Sequence, residues 1–458
     1  MKSSSSRKQM MLYDPVEKVI PKLAVPTIIS MLITSIYNMA DTYFVSQIGT
    51  SASGAVGVTS SAMSLMQAVA YMIGIGSGIN MSKCLGQGDE EKAKQFVTTG
   101  LFTAFGVGLL ITVFGNLFMN PIVMMLGATE TIAPYAKAYA SYIFYAAPFM
   151  MTSFAMNNLL RYQGLALYGM IGIATGGILN ILLDPLLIFT FELGTAGAAI
   201  ATAFSQVISF LILLFMTMTR KETIKLHPKY YRFDPKIYGR IIYNGMPSLG
   251  RQGLASVSTI VINHVAGIYG DAAIAAFNIV NRFVMFINSS VIGFGQGFQP
   301  VCSFCYGAKK FSRVRHAFWY CVKVTTVMLI VFSTLCFPFA RQIVTLFRKD
   351  DLEVIRIGTL ALRLQLCALP LWGFTIMASM FTQSIGYGVR ATLLSTARQG
   401  MFLLPMLLIL PPIFDVLGIQ MARPVADIFT LLLSILVTAG TLKKFHKLED
   451  TEEATAPG

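Results

Sequence analysis

Two aspartates lie deep inside long apolar stretches of the sequence, where a charged group is costly and usually functional. Asp41, Asp184 and Thr202 are each eight residues from the polar or glycine-containing end of their stretch. If these stretches form helices, a rise of about 1.5 Å per residue places all three side chains roughly 12 Å below one surface of a membrane. The spacing therefore predicts a single polar level to which three helices contribute.

Further polar residues fall on the same helix faces as these three. The spacing i, i+3, i+4, i+7 aligns Thr34, Tyr37, Asn38 and Asp41. Asn180 lies one turn before Asp184, and a third face carries Thr202, Ser205, Gln206 and Ser209. Such faces are expected to point into a helix bundle or a wet cavity. For Ser205 and Ser209 the alternative stays open that they bond neighbouring helices together.

Two carboxylates in one dry pocket cannot both carry a negative charge at low cost, so the pair titrates as a unit. A bound proton relieves the repulsion, and so does Na⁺, which prefers hard oxygen ligands. The residues that offer such oxygens are Asp41, Asn180, Asp184 and Thr202. Either ion changes the charge of a cavity wall, as an ion-coupled carrier requires. We therefore expect H⁺ or Na⁺ as the coupling ion, and no other cofactor.

The composition places these residues in a membrane protein. Of 458 residues, 55% are hydrophobic and only 12% are charged, about half the charged fraction of a soluble domain. This excludes an ordinary soluble enzyme and a disordered chain. The net charge of +14 fits basic loops that orient a membrane protein better than nucleic-acid binding. Cys302 and Cys305 have redox spacing, but no second pair accompanies them, so no zinc site is expected.

Twelve apolar segments are each long enough to cross a bilayer as a helix. We place them near residues 20–47, 53–79, 95–119, 132–160, 168–191, 195–219, 243–268, 273–300, 317–340, 357–382, 391–414 and 421–442. β-Barrels show alternating segments of about ten residues instead, so an all-α bundle is expected. Most Lys and Arg fall on the side that carries both termini, which predicts that both termini are cytoplasmic.

The chain contains an internal repeat. A shift of 221 residues aligns turn-forming and small residues, pairing Pro26 with Pro247, Gly49 with Gly270, Gly76 with Gly297 and Gly86 with Gly307. Each half has six spans and returns to the same side, so the repeats are parallel. The resulting domains are an N-lobe (1–219), a cytoplasmic linker (220–240), a C-lobe (241–442) and a cytoplasmic tail (443–458). This arrangement is typical of alternating-access transporters.

The second half differs in its charges. Ile262 stands where Asp41 stands in the first half, and the charges predicted inside C-lobe spans are basic: Arg251, Arg282, Lys323, Arg363 and Arg398. Lys323 and Arg398 either extend to the cytoplasmic edge or bond inside the lobe. Arg251, with its neighbour Gln252, and Arg282 are expected to bond polar groups between spans. The sequence places Asp427 near the outer end of the twelfth span.

A set of aromatic and polar residues could line a cavity for flat amphiphilic molecules. Its members are Tyr37, Asn38, Tyr139, Phe149, Asn157, Ser205 and Gln206. Aromatic and methionine-rich surfaces adapt to varied ligands. For each residue taken alone, ordinary helix packing is the alternative.

These residues give the chain a resemblance to the MATE (multidrug and toxic compound extrusion) family of the MOP superfamily. The segments that carry it are "PTIISMLITSIYNMADTYFVSQIG" (26–49), "GQGDEEKA" (86–93), "NNLLRYQG" (157–164) and "LNILLDPLLIF" (179–189). The resemblance covers essentially the whole chain. It implies a fold of twelve transmembrane helices in two pseudo-symmetric six-helix lobes.

The resemblance also implies a function and residue roles. It implies an antiporter that exports cationic amphiphilic compounds in exchange for H⁺ or Na⁺. Asp41, Asn180, Asp184 and Thr202 match the family's N-lobe ion residues, and Pro26 matches a proline proposed to bend the first helix. Some family branches have acidic residues in the seventh and tenth spans. This chain has Arg251, Gln252 and Arg363 there, so it resembles the prokaryotic branch with carboxylates in the N-lobe alone.

The leading alternative is a flippase for lipid-linked precursors of the same superfamily, whose anionic cargo would suit the C-lobe arginines. An intramembrane enzyme is disfavoured because no metal-binding carboxylate cluster is visible, and a channel because the polar residues collect in one lobe instead of a ring. We expect a monomeric, multi-pass exporter in the bacterial inner membrane. Its partners would be small amphiphilic substrates and the lipid bilayer.

Overall fold

The computed structural model describes residues 2–220, 222–348 and 351–455. Lys221 of the linker, Lys349 and the last three residues of the tail lie outside the described residues. Throughout the described part, the regular secondary structure is helical. This is the expected result for a chain that must satisfy its backbone hydrogen bonds within lipid.

The first half contains eight α-helices, of which two are short. They are α1 (Lys2–Tyr13), α2 (Val16–Ser46), α3 (Thr50–Gln87), α4 (Glu90–Leu117), α5 (Met119–Met125), α6 (Ala133–Tyr162), α7 (Ala166–Pro185) and α8 (Gly194–Thr219). A π-helical turn, Leu186–Thr190, extends α7 beyond Pro185.

The second half has the same plan. Its helices are α9 (Pro235–Gly267), α10 (Asp271–Gly307), α11 (Phe311–Cys336), α12 (Ala340–Phe347), α13 (Leu352–Ser384), α14 (Gly388–Thr396), α15 (Leu403–Ile409) and α16 (Pro411–Thr455). A π-helical turn, Ala397–Phe402, joins α14 and α15 into one span. In α16 the backbone is non-helical at Asp415, so this element begins with a separate short piece before a kink.

Twelve membrane-length spans are present in the described chain, as predicted. Ten are both long and apolar. The other two are α6 and α9, of 30 and 33 residues, whose polar residues lower their mean hydropathy. The short helices α5 and α12 were not predicted, yet they begin 221 residues apart. They therefore belong to the same internal repeat as the spans.

The repeat also holds at the level of backbone conformation. Gly49 and Gly270 precede α3 and α10 with φ values of 152° and 99°. Gly164 and Gly386, which the repeat pairs after a one-residue slip, both have φ of 80°. This region of φ is strained for residues that carry a Cβ. Paired glycines therefore end or begin corresponding helices in the two lobes.

The lobes touch closely on the side of the molecule that carries both termini, called here the terminal side. A Cβ on Gly76 of α3 would lie 2.0 Å from the Ile241 carbonyl oxygen of α9. A Cβ on Gly245 of α9 would lie 2.0 Å from the Met72 carbonyl oxygen of α3. These helices can approach this closely only because both positions lack a side chain. The glycine contacts close the lobes against each other on this side.

Polar bonds reinforce the closure of the terminal side. Asn244 Nδ2 of α9 donates to Asn80 Oδ1 of α3 at 3.1 Å. Arg161 of α6, which is buried, donates to Gln296 of α10. Each bond joins one lobe to the other, so the terminal-side contact is specific in its pairing as well as close in its packing.

Candidate functional site

A buried polar cluster lies in the half of the N-lobe farther from the terminal side. The Tyr139 hydroxyl of α6 donates to Asp41 Oδ2 of α2 at 3.1 Å. Asn180 Nδ2 of α7 lies 3.3 Å from Asp184 Oδ1 and 3.1 Å from Thr202 Oγ1 of α8. The side chains of all five residues are buried. The structure therefore brings together the four predicted ion residues, with Tyr139 as a fifth member.

Three acceptor oxygens of this cluster lack a hydrogen-bond partner among the described residues. They are Asp41 Oδ1, Asn180 Oδ1 and Asp184 Oδ2. Buried acceptors of this kind are costly unless a proton or cation satisfies them. Two carboxylates and an amide oxygen are hard ligands of the type that Na⁺ prefers. The donor set therefore fits either a proton or Na⁺.

A glycine stripe on α7 allows the neighbouring helices to approach the cluster. A Cβ on Gly177 would lie 2.8 Å from Ile33 Cγ2 of α2. A Cβ on Gly176 would lie 3.0 Å from the Ser205 carbonyl oxygen of α8. The small residues bring α2 and α8 against opposite flanks of α7, as is common where membrane helices pack closely. This close packing places Asp41 and Thr202 beside Asn180 and Asp184.

A second polar level lies one turn from the cluster toward the terminal side. Tyr37, Ser205 and Gln206 are buried, and the Tyr37 hydroxyl, Ser205 Oγ and Gln206 Oε1 have no hydrogen-bond partner among the described residues. Ser209 is different, because it contacts Ser153 Oγ at 3.1 Å and donates to the Gly172 carbonyl at 3.0 Å. Ser209 therefore joins three helices. Ser205 Oγ is available to a ligand, whereas the side chains of Tyr37 and Gln206 face each other.

The remaining predicted cavity residues are distributed differently. Asn38 is exposed on the α2 face between Asp41 and Ser35, and its amide donates to the Thr34 carbonyl. Phe149 packs against the rings of Phe105 and Phe210, with centroids 6.2 and 5.4 Å away.

Asn157 of α6 lies against the start of α7, where a Cβ on Gly169 would be 2.9 Å from its Nδ2. The structure thus brings Tyr37, Tyr139, Ser205 and Gln206 to the cluster, and it places Phe149 and Asn157 away from it.

Pro26 lies within α2, where this helix meets the C-lobe. Its carbonyl accepts from Ser30 Oγ at 2.9 Å. Two turns of α2 beside it contact α10, since a Cβ on Gly297 would lie 2.6 Å from Ala24 Cα and one on Gly293 would lie 2.8 Å from Ile28 Cα. Proline removes one helical hydrogen bond. A bend here would change the contact between the lobes directly.

Beyond this contact the two lobes separate. Ser35 of α2 and Ser289 of α10 approach to 3.4 Å between their hydroxyl oxygens. Farther from the terminal side, Asn38 and Thr42 of α2 and Arg282 of α10 are exposed. The molecule is therefore closed on the terminal side and open between the lobes on the opposite side.

The other C-lobe cations occupy three kinds of environment. Arg251 lies near Arg161, Tyr71 and Tyr162, beside the terminal-side closure, and the adjacent Gln252 is half-buried. Arg363 is exposed with its guanidinium 5.5 Å from the Phe337 ring centroid. Lys323 is exposed on α11. A bond from Arg251 to another span was predicted. In the structure, Arg251 lies near these polar side chains, and no hydrogen bond joins it to them among the described residues.

The position of Asp427 differs from the predicted one. Its side chain is buried and accepts from Arg398 Nε at 3.1 Å, Trp372 Nε1 at 2.8 Å and Gln365 Nε2 at 3.2 Å. Asp427 lies twelve residues beyond the kink at Asp415, about 18 Å along the continuous part of α16 at 1.5 Å per residue, and therefore near the middle of the membrane. Arg398 is held there by this carboxylate and does not reach the edge of the lobe. The sequence could have indicated this ion pair, because it places a single carboxylate among several arginines in the spans of the C-lobe.

The fold agrees with comparisons to known proteins. The family model MatE matches residues 26–186 and 247–409, one match in each half. The multidrug export protein MepA of Staphylococcus saprophyticus is 26% identical over 415 residues, covering 90% of this chain and 91% of the relative. MepA of Staphylococcus aureus is 26% identical over 425 residues, covering 93% and 94%.

Solved structures of transporters share the fold. A MATE-family transporter of the MOP superfamily in an outward-facing conformation superposes with a TM-score of 0.89 at 24% identity, covering 96% of this chain and 98% of the other. A mutant of the Vibrio cholerae MATE transporter VcmN superposes with a TM-score of 0.87 at 21% identity, covering 97% and 99%. The family match spans both halves of the chain, and this multi-pass membrane protein therefore belongs to the MATE family of transporters.

Proposed function

We propose that the protein is a cation-coupled multidrug exporter, an antiporter that exchanges amphiphilic organic cations for H⁺ or Na⁺. The observation that carries this proposal is the buried pair Asp41 and Asp184, with an unpartnered oxygen on each carboxyl group. The names of the two staphylococcal relatives support multidrug export. A transporter role also accounts for a polar site that opens between two lobes.

The structure supports an alternating-access cycle. With the terminal side facing the cytoplasm, the open side faces out of the cell, and the coupling ion reaches Asp41 past the exposed Asn38. Binding neutralises the carboxylates and removes their attraction for a cationic drug, which leaves outward. Rearrangement of α2 at Pro26 then alters its contact with α10 and allows the terminal side to open for the next drug molecule.

The geometry of the N-lobe cluster also disfavours the flippase alternative. A flippase for anionic lipid precursors needs a cationic cavity, whereas the buried N-lobe cluster holds two acids and, among the described residues that form it, no base. The residues that would favour such cargo, Arg251, Arg282 and Arg363, lie on α9, α10 and α13, outside that cluster. We therefore place drug export first and regard a monomer in the bacterial inner membrane, with both termini cytoplasmic, as the working form.

Substitution Asp41→Asn tests the role of the carboxylate pair. Cells that express the variant should accumulate a fluorescent organic cation to the level of cells without the protein, because the introduced amide cannot change charge with ion binding. Asp89→Asn is the matched control, since Asp89 caps α4 at its first turn by accepting from the Lys92 backbone N–H and asparagine caps equally well. Wild-type efflux by Asp41→Asn, at equal membrane abundance, would rule out the proposed role.

A further inference from the structure

The C-lobe contains a small, partly open cleft on the side opposite the terminal side, with about 30 Å³ of space for water-sized groups. It lies between α9, α10, α13 and α16. Ile262, which the repeat pairs with Asp41, lines it. Its polar lining consists mainly of amides and one guanidinium, from Asn263, Asn278, Asn281, Gln365, Gln420 and Arg423. No carboxylate is among the described residues that line this cleft, so its chemistry is opposite to that of the N-lobe cluster.

The charge of Arg423 has no close carboxylate of its own. Asp427 is the acid in its neighbourhood, and three donors from Arg398, Trp372 and Gln365 already occupy that carboxylate. Arg423 faces Asp427 only at longer range, and Arg398 repels it. Two guanidinium groups thus share one carboxylate inside the C-lobe. An uncompensated cation at this depth is costly unless an anion approaches it.

The hydrogen bonds around Arg423 leave it available to a ligand. Its Nη1 donates to Asn281 Oδ1 at 3.1 Å. This bond fixes the guanidinium at the wall of the cleft and leaves Asn281 Nδ2 as a further donor. A guanidinium and an amide N–H side by side form the donor pattern that carboxylates prefer.

We propose that this C-lobe cleft binds a carboxylate or a comparable monovalent anionic group through Arg423 and Asn281. The group is either the acidic end of a zwitterionic amphiphile that the protein carries or a small free anion. Ile262, Phe277 and Val280 also line the cleft and supply an apolar wall for an attached ring. The site is distinct from the N-lobe cluster, and anion binding here holds whether or not the protein exports drugs.

Equilibrium dialysis of radiolabelled benzoate against the purified full-length protein in nanodiscs tests the proposal. Saturable binding is expected, with affinity lowered about tenfold by Arg423→Gln, because a hydrogen bond to a charged group is removed. Asn281→Asp should abolish binding as well, since the new carboxylate would pair with Arg423. Asn281→Asp is thus a second variant, and the folded protein contains one more ion pair in it. Arg363→Gln, at an exposed arginine of the same lobe, should bind as the wild type does.

Competition identifies the source of the anion. Displacement of benzoate by chloride at similar concentrations would assign the cleft to small free anions. Displacement by a zwitterionic amphiphile, but not by its methyl ester, would assign it to a carboxylate of the cargo. Absence of saturable benzoate binding, or wild-type affinity in folded Arg423→Gln and Asn281→Asp, would overturn the proposal. Neither result depends on the efflux measured with Asp41→Asn.

Discussion

At the scale of single residues, the N-lobe cluster combines the four predicted ion residues with Tyr139, which the sequence assigned to the substrate cavity. The shared depth of Asp41, Asp184 and Thr202 follows from equal spacing to the helix ends, so it was predictable. The contact between Tyr139 and Asp41 was not, because it depends on how α6 rotates against α2. Their 3.1 Å bond makes Tyr139 a positioning residue for the coupling carboxylate.

Substitution Tyr139→Phe is expected to slow exchange about tenfold when the coupling ion is limiting. The change removes one hydrogen bond to a charged group, a loss of about 1.5–3 kcal/mol, while the ring stays in place. Initial rates measured over a range of pH and sodium concentration would show the effect. Tyr142→Phe is the control, because Tyr142 lies one turn away on α6 and is exposed. Equal rates for Tyr139→Phe and the wild type would contradict a positioning role.

The C-lobe shows why buried ion pairs escape prediction at this scale. The depth of Asp427 depends on where α16 begins, and the kink at Asp415 hides that starting point in the sequence. Arg398 and Trp372 come from two other helical segments, and their approach to Asp427 depends on the packing of the whole lobe. Local spacing therefore identified the N-lobe acids and misplaced the C-lobe acid.

At the scale of elements, glycines determine which helices meet. The repeat aligned Gly76 with Gly297 and Gly86 with Gly307, and all four lie where the two lobes touch. A Cβ on Gly86 would lie 2.2 Å from the Phe304 carbonyl oxygen, and one on Gly307 would lie 2.2 Å from the Lys83 carbonyl oxygen. Repeated glycines indicated close packing from sequence alone. Their partners could be identified only in the folded molecule.

Substitution Gly245→Ala is expected to open the terminal side, because its Cβ cannot fit 2.0 Å from the Met72 carbonyl oxygen. The lobes should shift toward the inward-open arrangement, and export should fall. The distance between spin labels at Lys92 and Lys309, with the exposed Cys367 replaced by Ser, would report the opening. Gly253→Ala on the same helix is the control, since its Cβ would meet nothing within 4 Å. An unchanged label distance in Gly245→Ala would contradict this account of closure.

At the scale of the whole molecule, the two lobes share a fold and differ in chemistry. Twelve spans and two lobes were predicted from hydropathy and repetition, and the fold confirms them. Two features of the fold were not predicted. They are the π-helical turn in the fifth span of each half and the short helices α5 and α12. Hydropathy alone does not distinguish these features from the spans around them. Two of the three buried acids among the described residues, Asp41 and Asp184, lie in the N-lobe. The C-lobe has one buried acid, Asp427, and three half-buried arginines, Arg251, Arg398 and Arg423, so the two lobes differ in the charge of their polar regions.

This division of charge implies that coupling resides in the N-lobe. The lobes are closed on the terminal side and apart on the other, so an ion arriving from the open side meets the exposed Thr42 before the buried Asp41. Among the described residues, only the N-lobe presents buried carboxylate oxygens without a hydrogen-bond partner. A single helix contains both Asp41 and Pro26, which supports our proposal that ion binding in the N-lobe moves α2 against α10.

The most direct test of this coupling is concentrative transport of a fluorescent organic cation by proteoliposomes under separate sodium and pH gradients. The wild-type protein should concentrate the cation under at least one of the two gradients. Asp41→Asn and Asp184→Asn should do so under neither, because an amide at either position cannot change its charge with ion binding. Gradient-driven accumulation by either variant at the wild-type rate, or failure of both gradients to drive the wild type, would contradict ion coupling through this pair.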